Sequence, residues 1–175
     1  AGLDRILFRC PNCQCEDTLS AQNGHIRCTC GLDATLDHTY RLHNAPFTRV
    51  NEWYLWQQEQ MNPDTLILES KVTIGAINQK GNLISNAGSG IAHLDRNFFH
   101  LEGSVFDKPV DFTIPVARIG AFPISVGDHF DVYCNGELYH ISTRPNPNDC
   151  IKWVTYLDHI QSLKHKTIFS NNTAN

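Results

Sequence analysis

The sequence predicts a mainly β, α+β protein in two parts: a small cysteine-stapled module, then a seven-stranded β-domain capped by a C-terminal helix. Three observations predict it. Five of the seven cysteines lie between positions 10 and 30. From residue 64 onward, apolar residues alternate through short runs separated by turn signals, about seven strands in all. Near the end, Cys150, Trp153, Val154, Leu157, Ile160 and Leu163 recur at i, i+3, i+4 and i+7, the apolar stripe of a helix.

The cysteine segment reads Cys10-Pro11-Asn12-Cys13-Gln14-Cys15, then Cys28-Thr29-Cys30-Gly31. A Cys-x2-Cys knuckle, fourteen intervening residues and a second short-spaced pair have the spacing of a zinc ribbon. Zn2+ takes four thiolates in a tetrahedron, and each tight turn can supply two. Pro11 suits the knuckle turn, and Gly31 permits the positive φ that follows a last ligand. So short a segment buries little apolar surface, so metal binding supplies the missing folding energy. The expected ligands are Cys10, Cys13, Cys28 and Cys30. The second pair is one residue shorter than Cys-x2-Cys, which leaves Cys15 and His25 as alternatives for one position. A redox dithiol at Cys10 and Cys13 would need a helix after it, and the polar stretch 14–23 is not that helix. Cys134 and Cys150 lie in apolar patterns and read as core residues.

The expected boundaries are a ribbon over 1–45, a linker helix within 46–63, a β-domain with its helix over 64–167, and a disordered tail over 168–175. Within 32–46, Leu36, Tyr40 and Leu42 suggest a last ribbon strand. Thr48 is placed to cap a helix over 49–61, with Glu52 in its first turn. Val50, Trp53 and Trp56 form its aromatic face, which reads as packing against its own protein. The β-domain strands fall at 66–76, 90–94, 98–101, 110–119, 121–126, 130–134 and 138–142. Asn135-Gly136 predicts a type I′ turn pairing Val132 with Tyr139 and Phe130 with Ile141, with Asp131 facing His140 on the opposite face. That Asp131–His140 pair reads as an exposed cross-strand ion pair. Asn148 or Asp149 is placed to cap the last helix. Strand number and order, closed by one helix, make the domain similar to a pleckstrin-homology-like or GRAM-like barrel or split sandwich.

Charge and hydropathy narrow the function. The formal net charge is −4, and residues 1–45 carry four Arg against five Asp and Glu. A nucleic-acid binder needs a basic face to displace counterions, so no nucleic-acid partner is expected. No apolar run reaches the roughly 20 residues of a membrane span. The start lacks both Met and a leader pattern, which suggests a fragment of a longer protein. Asn86-Ala87-Gly88-Ser89-Gly90 is glycine-rich, but it leads into a strand rather than a phosphate-holding helix. A headgroup-binding β-domain would gather Lys and Arg at its first hairpin loop, where the sequence offers Lys80 alone.

One resemblance covers about the first third of the chain. The run Leu3-Asp4-Arg5-Ile6-Leu7-Phe8-x-Cys10-Pro11-x-Cys13, then Cys28-x-Cys30, then Pro46-Phe47-Thr48-x-Val50-x-Glu52-Trp53-x-x-Trp56-Gln57 resembles the region after the catalytic domain of certain bacterial acyltransferases. These are the Gram-positive 1-acyl-sn-glycerol-3-phosphate acyltransferases that carry a zinc-ribbon extension. The resemblance implies a non-catalytic accessory region that docks on its own N-terminal acyltransferase domain, supports oligomers, or helps place the enzyme at the cytoplasmic face of the membrane. That family's chemistry uses a His with an Asp five positions later, so that a carboxylate orients a histidine base. None of the nine histidines here has that Asp, so no catalytic residue carries over. The alternative reading is a protein- or lipid-headgroup-binding module.

Overall fold

The computed structural model describes residues 2–172, with side chains through residue 163. The last three residues of the expected tail, 173–175, lie outside the described residues. The chain divides into two compact units, Ala1–Met61 and Asn62–Asn175.

The first unit is built on a four-stranded antiparallel sheet in sequential order: β1 (Leu19–Gln22), β2 (His25–Cys28), β3 (Asp33–Leu36) and β4 (Leu42–His43). Asn23 and Gly24 join β1 to β2 with φ of 51° and 78°, the two positive values a two-residue type I′ hairpin requires. Between β3 and β4, the Asp37 carboxylate accepts from the Thr39 and Arg41 N–H groups and the Thr39 hydroxyl. His43 joins it at 2.8 Å. Tyr40, expected in a last ribbon strand, lies instead in this loop and is 78% exposed. Alternation sends Ile26, Cys28, Ala34 and Leu42 to one face, where they pack with Leu7, Leu32 and Trp53.

Helix α1 (Val50–Glu59) belongs to this unit rather than standing apart as a linker. Its N-cap is Arg49 and not Thr48, because the Glu52 carboxylate reaches back to both N–H groups and to the Thr48 hydroxyl. The expected aromatic face is the packed face. Trp53 is fully buried, Phe47 stacks obliquely on Trp53 and Trp56, and the Trp53 indole N–H donates to the Arg9 carbonyl at 2.8 Å. One turn on, Gln57 is also fully buried. Its carbonyl accepts from the Phe8 N–H at 3.0 Å, and its amide donates to the Ile6 carbonyl at 2.9 Å. A buried amide satisfied at both ends behaves like a strand residue pairing with that edge.

The second unit is a seven-stranded antiparallel sheet followed by a helix. Its strands are β5 (Leu68–Ile77), β6 (Leu83–Leu94), β7 (Phe98–Val105), β8 (Lys108–Pro115), β9 (Ile124–Ser125), β10 (His129–Cys134) and β11 (Glu137–Arg144). The order across the sheet is β8-β7-β6-β5-β11-β10-β9. Two meanders therefore meet where β5 pairs with β11. The expected barrel does not close: β8 and β9 are the two edges, and β9 has only two residues with which to pair. The sheet instead bends over itself, bringing Phe112 of β8 within 5.2 Å of Tyr139 of β11, ring centre to ring centre.

Helix α2 (Cys150–Asn172) covers the apolar face. Trp153 stacks on Phe130 at 5.6 Å, and Phe99 sits edge-on to both. The stripe ends earlier than its pattern suggests, since Ile160 is buried and Leu163 is exposed. The helix is entered through a 3-10 turn, Pro147–Asp149, capped by Asn146, whose side chain accepts from the Asn148 N–H. Cys150 is buried in the core, whereas Cys134 is only half-buried.

The hairpin register at Asn135-Gly136 matches the sequence reading at every pair. The largest difference is β6, which runs through the glycine-rich 86–90 segment. A Cβ on Gly88 or Gly90 would collide with the Ser104 or Glu102 carbonyl of β7. These glycines serve close strand approach, which is why the segment lacks a strand's side-chain signature.

Two outcomes follow for stability. Trp53→Ala removes the largest buried side chain of the first unit and should cost about 3–5 kcal/mol, read by equilibrium denaturation. Gly90→Val should unfold or aggregate the second unit, read by circular dichroism, whereas Ser89→Val, on an exposed strand position, should leave it folded.

A candidate metal centre of four cysteines

The two cysteine turns come from different local geometries. In the first, a hydrogen bond from the Gln14 N–H to the Cys10 carbonyl closes the knuckle, and Cys10 N–H bonds the Cys15 carbonyl. In the second, Cys28 ends β2, and the chain reverses through Gly31 at φ 98°, with Gly31 N–H on the Cys28 carbonyl. That tight reversal brings Cys30 round despite the missing residue in Cys28-x-Cys30.

One sulfur each from Cys10, Cys13, Cys28 and Cys30 lies within 4.8 Å of all the others. Cys10 to Cys30 and Cys13 to Cys28 are both 3.7 Å. Metal–sulfur bonds of about 2.3 Å in a tetrahedron set the sulfurs about 3.8 Å apart. A disulfide would need about 2.05 Å. The cluster therefore has the size of a tetrahedral thiolate site, and these four residues could hold one metal ion.

The surroundings favour thiolates. The N–H groups of Cys13 and Asn12 point at the Cys10 sulfur, that of Cys15 at Cys13, and that of Cys30 at Cys28. The Thr18 hydroxyl adds a second kind of donor, 3.2 Å from the Cys28 sulfur. Burial opposes ionisation at Cys28, but the Cys30 N–H and Thr18 outweigh it and bring that thiol down to about 6. At Cys10 burial wins and pushes the thiol up to about 12. In the metal-free cluster ionisation is thus favoured at Cys28 and at Cys13 and opposed at Cys10. A bound cation relieves that opposition.

The two alternative ligands stand elsewhere. Cys15 is exposed, with its sulfur 3.6 Å from the Cys13 carbonyl. His25 pairs with Asp33 at 2.7 Å, and that pair, helped by Arg27, holds the Asp33 carboxyl below the usual range. Sequence reasoning missed the residues that support the cluster. Thr18 carries no spacing signal, and Gln57 reads as a polar helix residue until its partners are known.

Serine at Cys10, Cys13, Cys28 or Cys30 should abolish thiolate-bound metal, read as loss of the cobalt–thiolate charge-transfer absorption, while Cys15→Ser and His25→Ala should keep it. Because protons compete with the metal for thiolates, chelator should strip the metal faster at mildly acidic pH than at pH 8.

Compared with protein-family models, with curated proteins and with solved structures, the chain matches none.

Proposed function

We propose that this chain is a non-catalytic, zinc-binding accessory region of a phospholipid-synthesising acyltransferase of the 1-acyl-sn-glycerol-3-phosphate class. Its work is docking on the catalytic domain, organising an oligomer, or placing the enzyme at the cytoplasmic face of the membrane. One observation carries this reading. The separated residues on which the resemblance rests act as a single physical unit. Gln57 closes on Ile6 and Phe8, Trp53 on Arg9, and the next residue is the first cysteine of the cluster. Phe8 and Gln57, 49 positions apart, thereby have one structural reason to stay together.

Zinc is the metal we assign, because four soft thiolates at tetrahedral spacing suit it and no redox partner is required. Seven strands followed by one helix support the likeness of the second unit to pleckstrin-homology-like domains. Among the described residues, no helix is long and apolar enough to cross a membrane.

A second reading, a lipid-headgroup module, gains one specific observation. Lys108 joins Lys80 in lining a cleft of about 730 Å³, with half-exposed Phe106 beside them and Glu137 also present. Two cations and an aromatic ring suit a phosphate at a membrane surface.

The parent's complete reading frame decides the first reading. A His with an Asp five positions later, upstream of Leu3, supports it, and an upstream region without that pair overturns it. The present chain should show no acyl transfer to 1-acyl-glycerol-3-phosphate. Flotation with phosphatidate vesicles tests the second reading: co-flotation lost in a Lys80→Ala, Lys108→Ala variant supports it, and absence of co-flotation removes it.

A further inference from the structure

A second group of side chains that could hold a metal ion stands in the β-domain, with no cysteine among its three members. Asp131 and His140 are register partners across the Asn135-Gly136 turn. His129 precedes Asp131 by two residues and so shares its face of β10. One donor atom from each lies within 4.8 Å of the other two. Asp131 Oδ1 is 2.7 Å from His140 Nδ1 and 3.5 Å from His129 Nε2. The two imidazoles meet nearly edge to face, with centroids 4.6 Å apart.

A cross-strand ion pair accounts for part of this arrangement and fails on the rest. Asp131 and His140 are not exposed, with side chains 19% and 17% accessible. Asp131 Oδ1 and His140 Nδ1 are shut off from solvent, and despite their 2.7 Å separation neither makes a hydrogen bond of acceptable geometry. Two buried polar atoms that face each other without bonding need a third body to satisfy them. His129 is set up to contribute. Its Nδ1 lies 3.1 Å from Asp128 Oδ2, and donating that proton leaves Nε2 with a free lone pair on the Asp131 side. Space for His140 comes from Gly75, its partner on β5, where an added Cβ would lie 3.1 Å from His140 Cβ.

We propose that His129, Asp131 and His140 form a second metal centre, for a divalent transition-metal ion such as Zn2+. Metal–ligand bonds of about 2.0–2.1 Å hold donors about 2.9 Å apart in an octahedron and about 3.4 Å apart in a tetrahedron. The observed 2.7 and 3.5 Å straddle these values. Two imidazoles and one carboxylate are a donor set for zinc and its neighbours rather than for Mg2+ or Ca2+. Three protein ligands leave at least one position for water or a small anion. His129 and His140 border a cleft of about 580 Å³ that Ser142 and Arg144 also line, so an exchangeable ligand has room there and a cation beside it.

The test is a Co2+ titration of the whole chain at neutral pH, followed by visible absorption, with equilibrium dialysis against micromolar Zn2+ and elemental analysis alongside. The first equivalent should bring the intense charge-transfer absorption of cobalt–thiolate bonds. The second should add only weak ligand-field bands, with no further thiolate signal, and dialysis should retain two zinc ions per chain. His140→Gln should lose the second equivalent and keep the first. Asp128→Asn, outside the ligand set, should weaken the second site about 10- to 100-fold. A chain that takes up a single metal, all of it thiolate-bound, overturns the proposal. So does a second equivalent that survives both His129→Gln and His140→Gln. The wild-type titration decides by itself if a variant fails to fold, and because the two sites differ in spectrum, failure at one is not read as failure at the other.

Discussion

Four sulfurs gathered to within the edges of one tetrahedron are the constraint on which the first unit depends. Its strands are only two to four residues long. Its buried core consists of eight residues, two of which are cysteines of the cluster itself. Burial on that scale does not repay the chain entropy of ordering about sixty residues. A metal ion held by all four sulfurs would supply the difference, because the site exists only in the folded chain. The same dependence explains why the knuckle is so fully donated to by backbone N–H groups: each stabilises the thiolate that the metal needs.

Helix α1 extends this small core with one aromatic and one amide. Trp53 fills the volume beside Leu7 and the sheet, and its indole N–H caps the Arg9 carbonyl next to the first cysteine. Gln57 completes the pairing of the 6–8 segment by bonding the Phe8 N–H and the Ile6 carbonyl. Loss of the amide would leave the Phe8 N–H and the Ile6 carbonyl to find other partners, a cost of the order of 1–3 kcal/mol for each buried group. The second unit stands on different physics. It is held by a large sheet bent over an aromatic cluster of Phe99, Phe122, Phe130 and Trp153, and it carries its candidate chemistry on the outer face of its last hairpin.

Much of this was legible because it is local. The Cys10-x2-Cys13 spacing and the alternation in 66–76 need no tertiary knowledge to read. Asn135-Gly136 fixed a register that held from Phe130 to Ile141. What was missed depends on neighbours distant in sequence. Gly88 and Gly90 look like a loop because their reason is the backbone of β7. His129 joins Asp131 and His140 only once the outer face of the hairpin is a half-buried surface rather than a solvated one. Lys108 reaches the Lys80 cleft from another hairpin. Asn23-Gly24 is the exception: it is a plain turn signal, overshadowed by the cysteines on either side. Closure of the barrel could not be read from strand count, since it rests on the length of β9.

The measurement that bears most directly on the central claim is zinc-edge X-ray absorption on the chain loaded with one equivalent of Zn2+. Four sulfur scatterers at about 2.3 Å are the expected result, because thiolates take the first ion in preference to imidazole and carboxylate. A first shell with nitrogen or oxygen in place of one or more sulfurs would contradict the four-cysteine site. A chain that binds no zinc would remove the constraint from which the first unit's fold is derived.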